Sequence, residues 1–166
     1  MAPDALWYEA AFVVGVTNAL NVVADGLDGL LPAADETGDD RARALLAEIR
    51  AFYAGAVPPA FPILAADPPY ATEVWGATRR AFADHRLTRR LKEAIAFAVS
   101  LTTRSRSGTA FHLAEMRRLG VGERGVREVV GVTQMFSSYT KIADTLQLQS
   151  DMGGIAPVDR SPAPGG

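Results

Sequence analysis

Apolar residues recur at one-turn spacing along most of the chain, and the breaks between these runs divide it into about six helices. From Leu6 to Leu31 the stripe is Phe12, Val16, Leu20, Val23 and Leu27, and Gly26, Gly29 and Pro32 bring it to a stop. A second helix is predicted from Asp40 to about Tyr53, with Asp39 or Asp40 as N-cap and Leu45, Leu46, Ile49 and Phe52 as its apolar face. Pro58, Pro59, Pro62, Pro68 and Pro69 then make a rigid connector from which Phe61, Ile63 and Leu64 plug the core. A third helix follows from about Tyr70 to Ala83, carrying Val74, Trp75 and Phe82. Thr88 caps a fourth, which extends to about Thr103 with Leu91, Ile95, Ala98 and Thr102 one turn apart. Ser105 or Ser107 caps a fifth, which reaches Leu119, and Gly120 fits its C-cap. The last helix runs from Glu123 to about Leu148, with Val126, Val129, Val130, Thr133, Phe136 and Ile142 turned inward. Strand alternation is nowhere convincing, so the fold class is all-α.

Length and composition agree with this pattern. A chain of 166 residues with 48% apolar content reads as one helical domain over residues 1–150. Residues 151–166 hold three prolines and four glycines with little that packs, and read as a disordered tail. The net charge of −2 comes from 17 basic and 19 acidic residues mixed along the chain, which argues for no nucleic-acid partner and no acidic membrane. The first twenty-odd residues show no basic leader, and no apolar run reaches about 18 residues, so a soluble, cytoplasmic protein is expected. The absence of cysteine removes disulfides, thiolate metal sites and thiol nucleophiles together. Two histidines without a third ligand in pattern predict no metal site, and no cofactor is called for.

Candidate chemistry concentrates between Leu87 and Leu119. Glu93 interrupts the most apolar part of the fourth helix, a corner containing Ser105 and Ser107 follows, and His112 lies in the fifth helix. Two helices joined by a short corner bring the acid near the histidine. A carboxylate beside an imidazole supplies a group that titrates near neutral pH. Structural roles remain open for each residue. Glu93 has Arg89 and Lys92 in reach, His112 has Glu115 at i+3 on a solvated face, and the serines suit N-caps. Arg79, Arg80, Arg86, Arg89, Arg90, Arg104 and Arg106 gather charge near the start of the fourth helix and the serine corner, where a helix dipole disfavours cations. Either an anionic substrate or the acidic loop Asp35 to Asp40 of a neighbouring subunit is expected to compensate them.

The run KEAIAFAVS at residues 92–100, the serine corner and Phe111-His112 together resemble the alkylhydroperoxidase (AhpD-like) and carboxymuconolactone decarboxylase superfamily. Its members carry an acid-bearing helix, a C-x-x-C pair at the turn, and a histidine four residues after the second cysteine. On that pattern Glu93 matches the acid, His112 the histidine, Ser105 the first cysteine and Gly108 the second. Ser107 falls where some members have a further histidine. The resemblance extends over about residues 48–148 and implies an AhpD-like helical fold in a homo-oligomer, a trimer or hexamer. With serine and glycine at the cysteine positions, peroxide reduction by a thiolate is not available. What remains is a cofactor-independent acid–base enzyme, of decarboxylase, lyase or isomerase type, acting on a small carbonyl, lactone or carboxylate compound. His112 is then the general acid or base and Glu93 its orienting partner, with Ser105 and Ser107 donating to a substrate oxygen. Arg104 and Tyr139 are further candidates for contact with a small-molecule substrate. The alternative is a non-catalytic, oligomeric binding or scaffold member, which a site blocked by Phe97 or Phe111 would favour.

Overall fold

The computed structural model describes residues 4–30 and 39–147, and among these it contains seven helices and no strand. They are α1 (Asp4–Gly26), α2 (Asp40–Phe52), α3 (Ala60–Leu64), α4 (Pro68–Phe82), α5 (Arg89–Thr102), α6 (Arg106–Arg118) and α7 (Glu123–Thr145). The tail and most of the acidic loop lie outside the described residues. Helix α3 is the one added to the expected set, a single turn inside the proline connector. Pro62 is tolerated there because an N–H in the first turn would have no intrahelical partner. Phe61 and Leu64 plug the core as expected, whereas Ile63 is half-buried.

Local signals set the helix starts. Asp39 accepts from the Arg41 and Ala42 amides at α2, Asp67 from Tyr70 at α4, Thr88 from Leu91 at α5, and Ser105 from Gly108 at α6. Gly120 takes a φ of +83° just past α6, the left-handed conformation that closes a helix at no steric cost.

The chain forms two compact units, Met1–Thr133 and Gln134–Gly166. In the first, Leu20 and Ala24 of α1 pack with Leu45, Leu46 and Ile49 of α2, Phe61 and Trp75. Phe97, Met116 and Val126 join α5, α6 and the start of α7 in a separate cluster. In the second, α7 continues as a helix whose Ser138 and Thr140 hydroxyls donate back to the Gln134 and Phe136 carbonyls. Phe136 and Ile142, expected inward, are 65% and 52% exposed. Val126, at 9% exposure, is the buried residue of α7, and Val130, also expected inward, is exposed.

Two stripes depart in part from expectation. On α1 the buried line is Val13, Thr17, Leu20, Asn21 and Ala24, while Phe12 is exposed. On α5 the buried line is Lys92, Glu93, Ala96, Phe97 and Ser100, while Leu91 is exposed. On α1 the expected stripe holds in part, since Leu20 is buried and Val16 and Val23 pack against the core, with Thr17 and Asn21 sharing the inward face; on α5 the inward face lies beside the expected stripe. Leu91, Ala94, Ile95 and Ala98 instead line a groove of about 300 Å³ with Val129, Val132 and Thr133 of α7. Helix α1 also corrects the reading of apolar runs. Ala5–Gly26 is long and apolar enough to cross a membrane by length and composition, with a mean hydropathy of 1.3, although it buries Thr17 and Asn21 inside the protein.

Lys92 is fully buried and explains how α1 is fastened beside α5. Its Nζ donates to the Ala83 carbonyl at 2.6 Å and pairs with Glu9 Oε1 at 2.5 Å, and the Leu87 amide donates to the same carboxylate. Burial works to raise the Glu9 pKa, but hydrogen bonds from Lys92, His85 and Leu87 outweigh it and hold the carboxyl below its ordinary value. A folded-state pKa below the unfolded one stabilises the fold above the unfolded value, near 4.5, and that contribution is lost as pH falls through the folded value. Glu9→Gln is therefore expected to melt below wild type at neutral pH, with the gap closing below about pH 4.5. Thermal melts across that range check it.

Candidate active site

Helices α5 and α6 are joined by the corner Thr103-Arg104-Ser105, so the second turn of α5 faces the second turn of α6. There His112 Nδ1 lies 2.8 Å from Glu93 Oε2. Glu93 is fully buried and His112 is 5% exposed. A carboxylate beside Nδ1 makes that nitrogen the N–H donor and leaves the lone pair on Nε2. Nε2 makes no hydrogen bond among the described residues, and it is not one of the sealed, unpartnered atoms, which are Thr17 Oγ1, Tyr53 OH, Arg89 Nε and Glu93 Oε1. The ring is held flat against Phe82, 11° from parallel with centroids 5.8 Å apart, and meets Phe111 edge-on at 5.2 Å. The alternative pairing of His112 with Glu115 on a solvated face is not what forms. Glu115 is itself buried and belongs to two arginines.

Those arginines extend the site. Arg118 grips Glu115 through Nε and a terminal nitrogen, at 2.9 and 2.7 Å. Arg89, one turn before Glu93, donates to Glu115 at 3.2 Å and to the Phe52 carbonyl at 2.9 Å, while its Nε stands 3.7 Å from Glu93 Oε1. Its guanidinium also covers the rings of Phe52 and Tyr53, at 4.1 and 4.7 Å. The Tyr53 hydroxyl is sealed beside these groups. Burial first, and the Glu93 carboxylate second, push its pKa well up, so it stays neutral. Two of the clustered arginines are thus compensated inside the chain, Arg89 by Glu93 and Glu115 and Arg79 by Glu48, rather than by a ligand or a neighbour. On the outer side, Arg89, Arg90, Arg118, Asp84, Thr88 and Leu119 line an open cleft of about 390 Å³.

Ser105 stands apart from the pair. It caps α6, is almost fully buried, and makes no hydrogen bond with Glu93 or His112 among the described residues. It belongs to a polar cluster in which Asn21 of α1 donates to Ser100 Oγ at 3.1 Å and to Thr103 Oγ1 at 3.2 Å. Gly108 completes the cluster by having no side chain. A Cβ there would lie 2.8 Å from both Ser100 Oγ and Ser105 Oγ, and closer still to Asn21 Oδ1. Ser107 donates to Asp25 at 2.9 Å, Arg104 is exposed with a φ of +60°, and Tyr139 is exposed on the second unit. Tyr53 stands where a core or pocket-wall aromatic is expected, whereas no motif marks Asn21 and Phe82. The trace of Asn21 in the sequence is its i+4 spacing from Thr17 within an apolar helix, two polar residues that share one face. Glu93 and His112 offer two ligand atoms, and among the described residues no third acid or histidine joins them to hold a metal.

Neither a curated protein nor a solved structure matches the chain. The profile of the carboxymuconolactone decarboxylase family matches residues 68–150, half of the chain, including α5 and α6 with Glu93, Ser105, Gly108 and His112, but not α1 with Asn21. The chain belongs to the carboxymuconolactone decarboxylase family.

Proposed function

We propose that the protein is a cofactor-independent acid–base enzyme that moves a proton on a small carbonyl, lactone or carboxylate compound. The observation that carries this reading is the geometry of His112, whose Nδ1 is fixed by a buried carboxylate at 2.8 Å while Nε2 has no hydrogen-bond partner among the described residues. In an isomerisation Nε2 takes a proton from carbon next to a carbonyl, Glu93 supports the imidazolium that results, and the same nitrogen returns the proton to the rearranged product. In a decarboxylation the carbon–carboxylate bond breaks to release carbon dioxide, and an imidazolium Nε2–H delivers its proton to the carbon left with the electron pair. Ring contacts from Phe82 and Phe111 restrict the imidazole to one orientation. Arg104 lies just before α6, where an anionic end of a substrate would meet it, while half-buried Ser107 in the first turn donates to Asp25 and could turn to a substrate oxygen only by giving up that bond. Ser105 shapes the corner as a cap rather than touching the reacting atoms, and no observation ties Tyr139 to the site. Thiol peroxidase chemistry has no nucleophile in a chain without cysteine.

Phe111 and Phe82 favour a second reading. They leave His112 only 5% exposed, as in a family member kept as an oligomeric binding or scaffold protein. The exposed apolar residues Trp7, Tyr8, Val14 and Val22 on α1, and the groove between α5 and α7, are surfaces that a homo-oligomer, trimer or hexamer, would cover. Proton NMR in deuterium oxide separates the two readings. Incubation with a panel of oxo acids and lactones is expected to show exchange next to the carbonyl, isomerisation or loss of carbon dioxide in proportion to protein. Ligand-induced shifts without turnover anywhere in the panel would leave the binding reading in its place.

A further inference from the structure

We infer that Arg89 is a positioning residue that sets how tightly the Glu93–His112 pair holds its proton; this rests on reading that pair as the proton-transfer site. The guanidinium is immobilised from several sides, by the Phe52 carbonyl, by Glu115 and by the faces of Phe52 and Tyr53. So fixed, it presents Nε to Glu93 Oε1 at 3.7 Å, too far for a hydrogen bond and near enough for an ion pair. The two oxygens of Glu93 are therefore divided, Oε2 to the imidazole and Oε1 to the cation.

Charge balance gives this division its consequence. Among the described residues, the charged groups linked to the imidazole through ion pairs are Glu93 and Arg89 on α5 and Glu115 and Arg118 on α6, two of each sign. At the end of α2 the Tyr53 hydroxyl is neutral, α4 contributes the ring of Phe82, and Glu9 of α1 is committed to Lys92. With a neutral imidazole the cluster is balanced. Protonation of His112 adds one uncompensated positive charge, which Glu93 favours and Arg89 opposes. A carboxylate serving the imidazole alone would trap the proton; one shared with Arg89 lets it leave.

The chain has two histidines, so a His85→Asn background leaves His112 as the sole imidazole signal in an NMR titration. In that background Arg89→Met is expected to move the His112 titration to higher pH, and Glu115→Gln, which strips the arginines of their counter-charge, to lower pH. Each shift is about half a pH unit or more, and Arg89→Lys, which keeps the charge, lies between Arg89→Met and the parent. A purely structural role would loosen the site in both variants and move both titrations the same way, or neither. Either of those results overturns the inference. Should Arg89→Met prove unfolded by circular dichroism, Glu115→Gln decides, a downward shift supporting the inference and any other result ending it. The titration needs no substrate, so a protein that shows both shifts yet turns nothing over would keep this role for Arg89 and lose the catalytic reading.

Discussion

Gly108→Ala is expected to destabilise the protein by about 2–4 kcal/mol, although alanine is ordinarily the better helix former by about 1 kcal/mol. The added methyl has no room, because Ser100 Oγ and Ser105 Oγ stand 2.8 Å from its position and Asn21 Oδ1 stands closer. None of the three yields cheaply. Ser105 holds the first turn of α6, and Asn21 is bonded to Ser100 and Thr103 from a helix packed on α5 and α6. Withdrawing the amide abandons buried hydrogen bonds worth about 1–3 kcal/mol, and overpacking adds about as much. Chemical denaturation of Gly108→Ala, Asn21→Ala and the double variant measures the coupling. The double variant is expected to be more stable than Gly108→Ala alone, since cutting Asn21 back opens the space. Simple additivity, or a stabilised Gly108→Ala, would show that Asn21 is not what fills it. A cysteine placed at 108 would meet the Asn21 side chain of α1, so the space at this corner is set by α1 as well as by α5 and α6.

How far the sequence speaks for the structure depends on whether a feature is local. Caps at Asp39, Thr88, Ser105 and Gly120 are readable because one side chain or one backbone angle decides them. The encounter of Glu93 with His112 is readable too, since a three-residue corner between two helices leaves few other arrangements. The inward faces of α1 and α5 are only partly readable, because Asn21 and Lys92 are buried through partners distant in sequence. Lys92 is tolerated in the interior only because Glu9 and the Ala83 carbonyl receive it, and Asn21 only because Ser100 and Thr103 do. Arg89 shows a mixed case. Its i,i+4 relation to Glu93 is visible, but the bridge to Glu115 needs the fold.

His112→Ala is expected to lower turnover of a substrate found in the screen by about 10²–10⁴-fold, the ordinary worth of a positioned general acid or base. The fold should tolerate the change better than burial alone suggests. Glu93 keeps Arg89 as a counter-ion at 3.7 Å, so removing the imidazole does not leave an isolated buried charge. Thermal melts establish that the variant is folded, and the loss should then fall on kcat rather than KM, since Nε2 acts on the proton in flight more than on the bound substrate. Glu93→Gln keeps the shape of the site and removes the charge that fixes Nδ1–H and supports the imidazolium. Its loss should also fall on kcat, by about 10²-fold or more. The double variant should be little worse than His112→Ala, because Glu93 works through the ring that is already gone. Independent, multiplying losses would mean that Glu93 meets the substrate itself, and a folded His112→Ala with wild-type turnover would remove the pair from the reaction altogether.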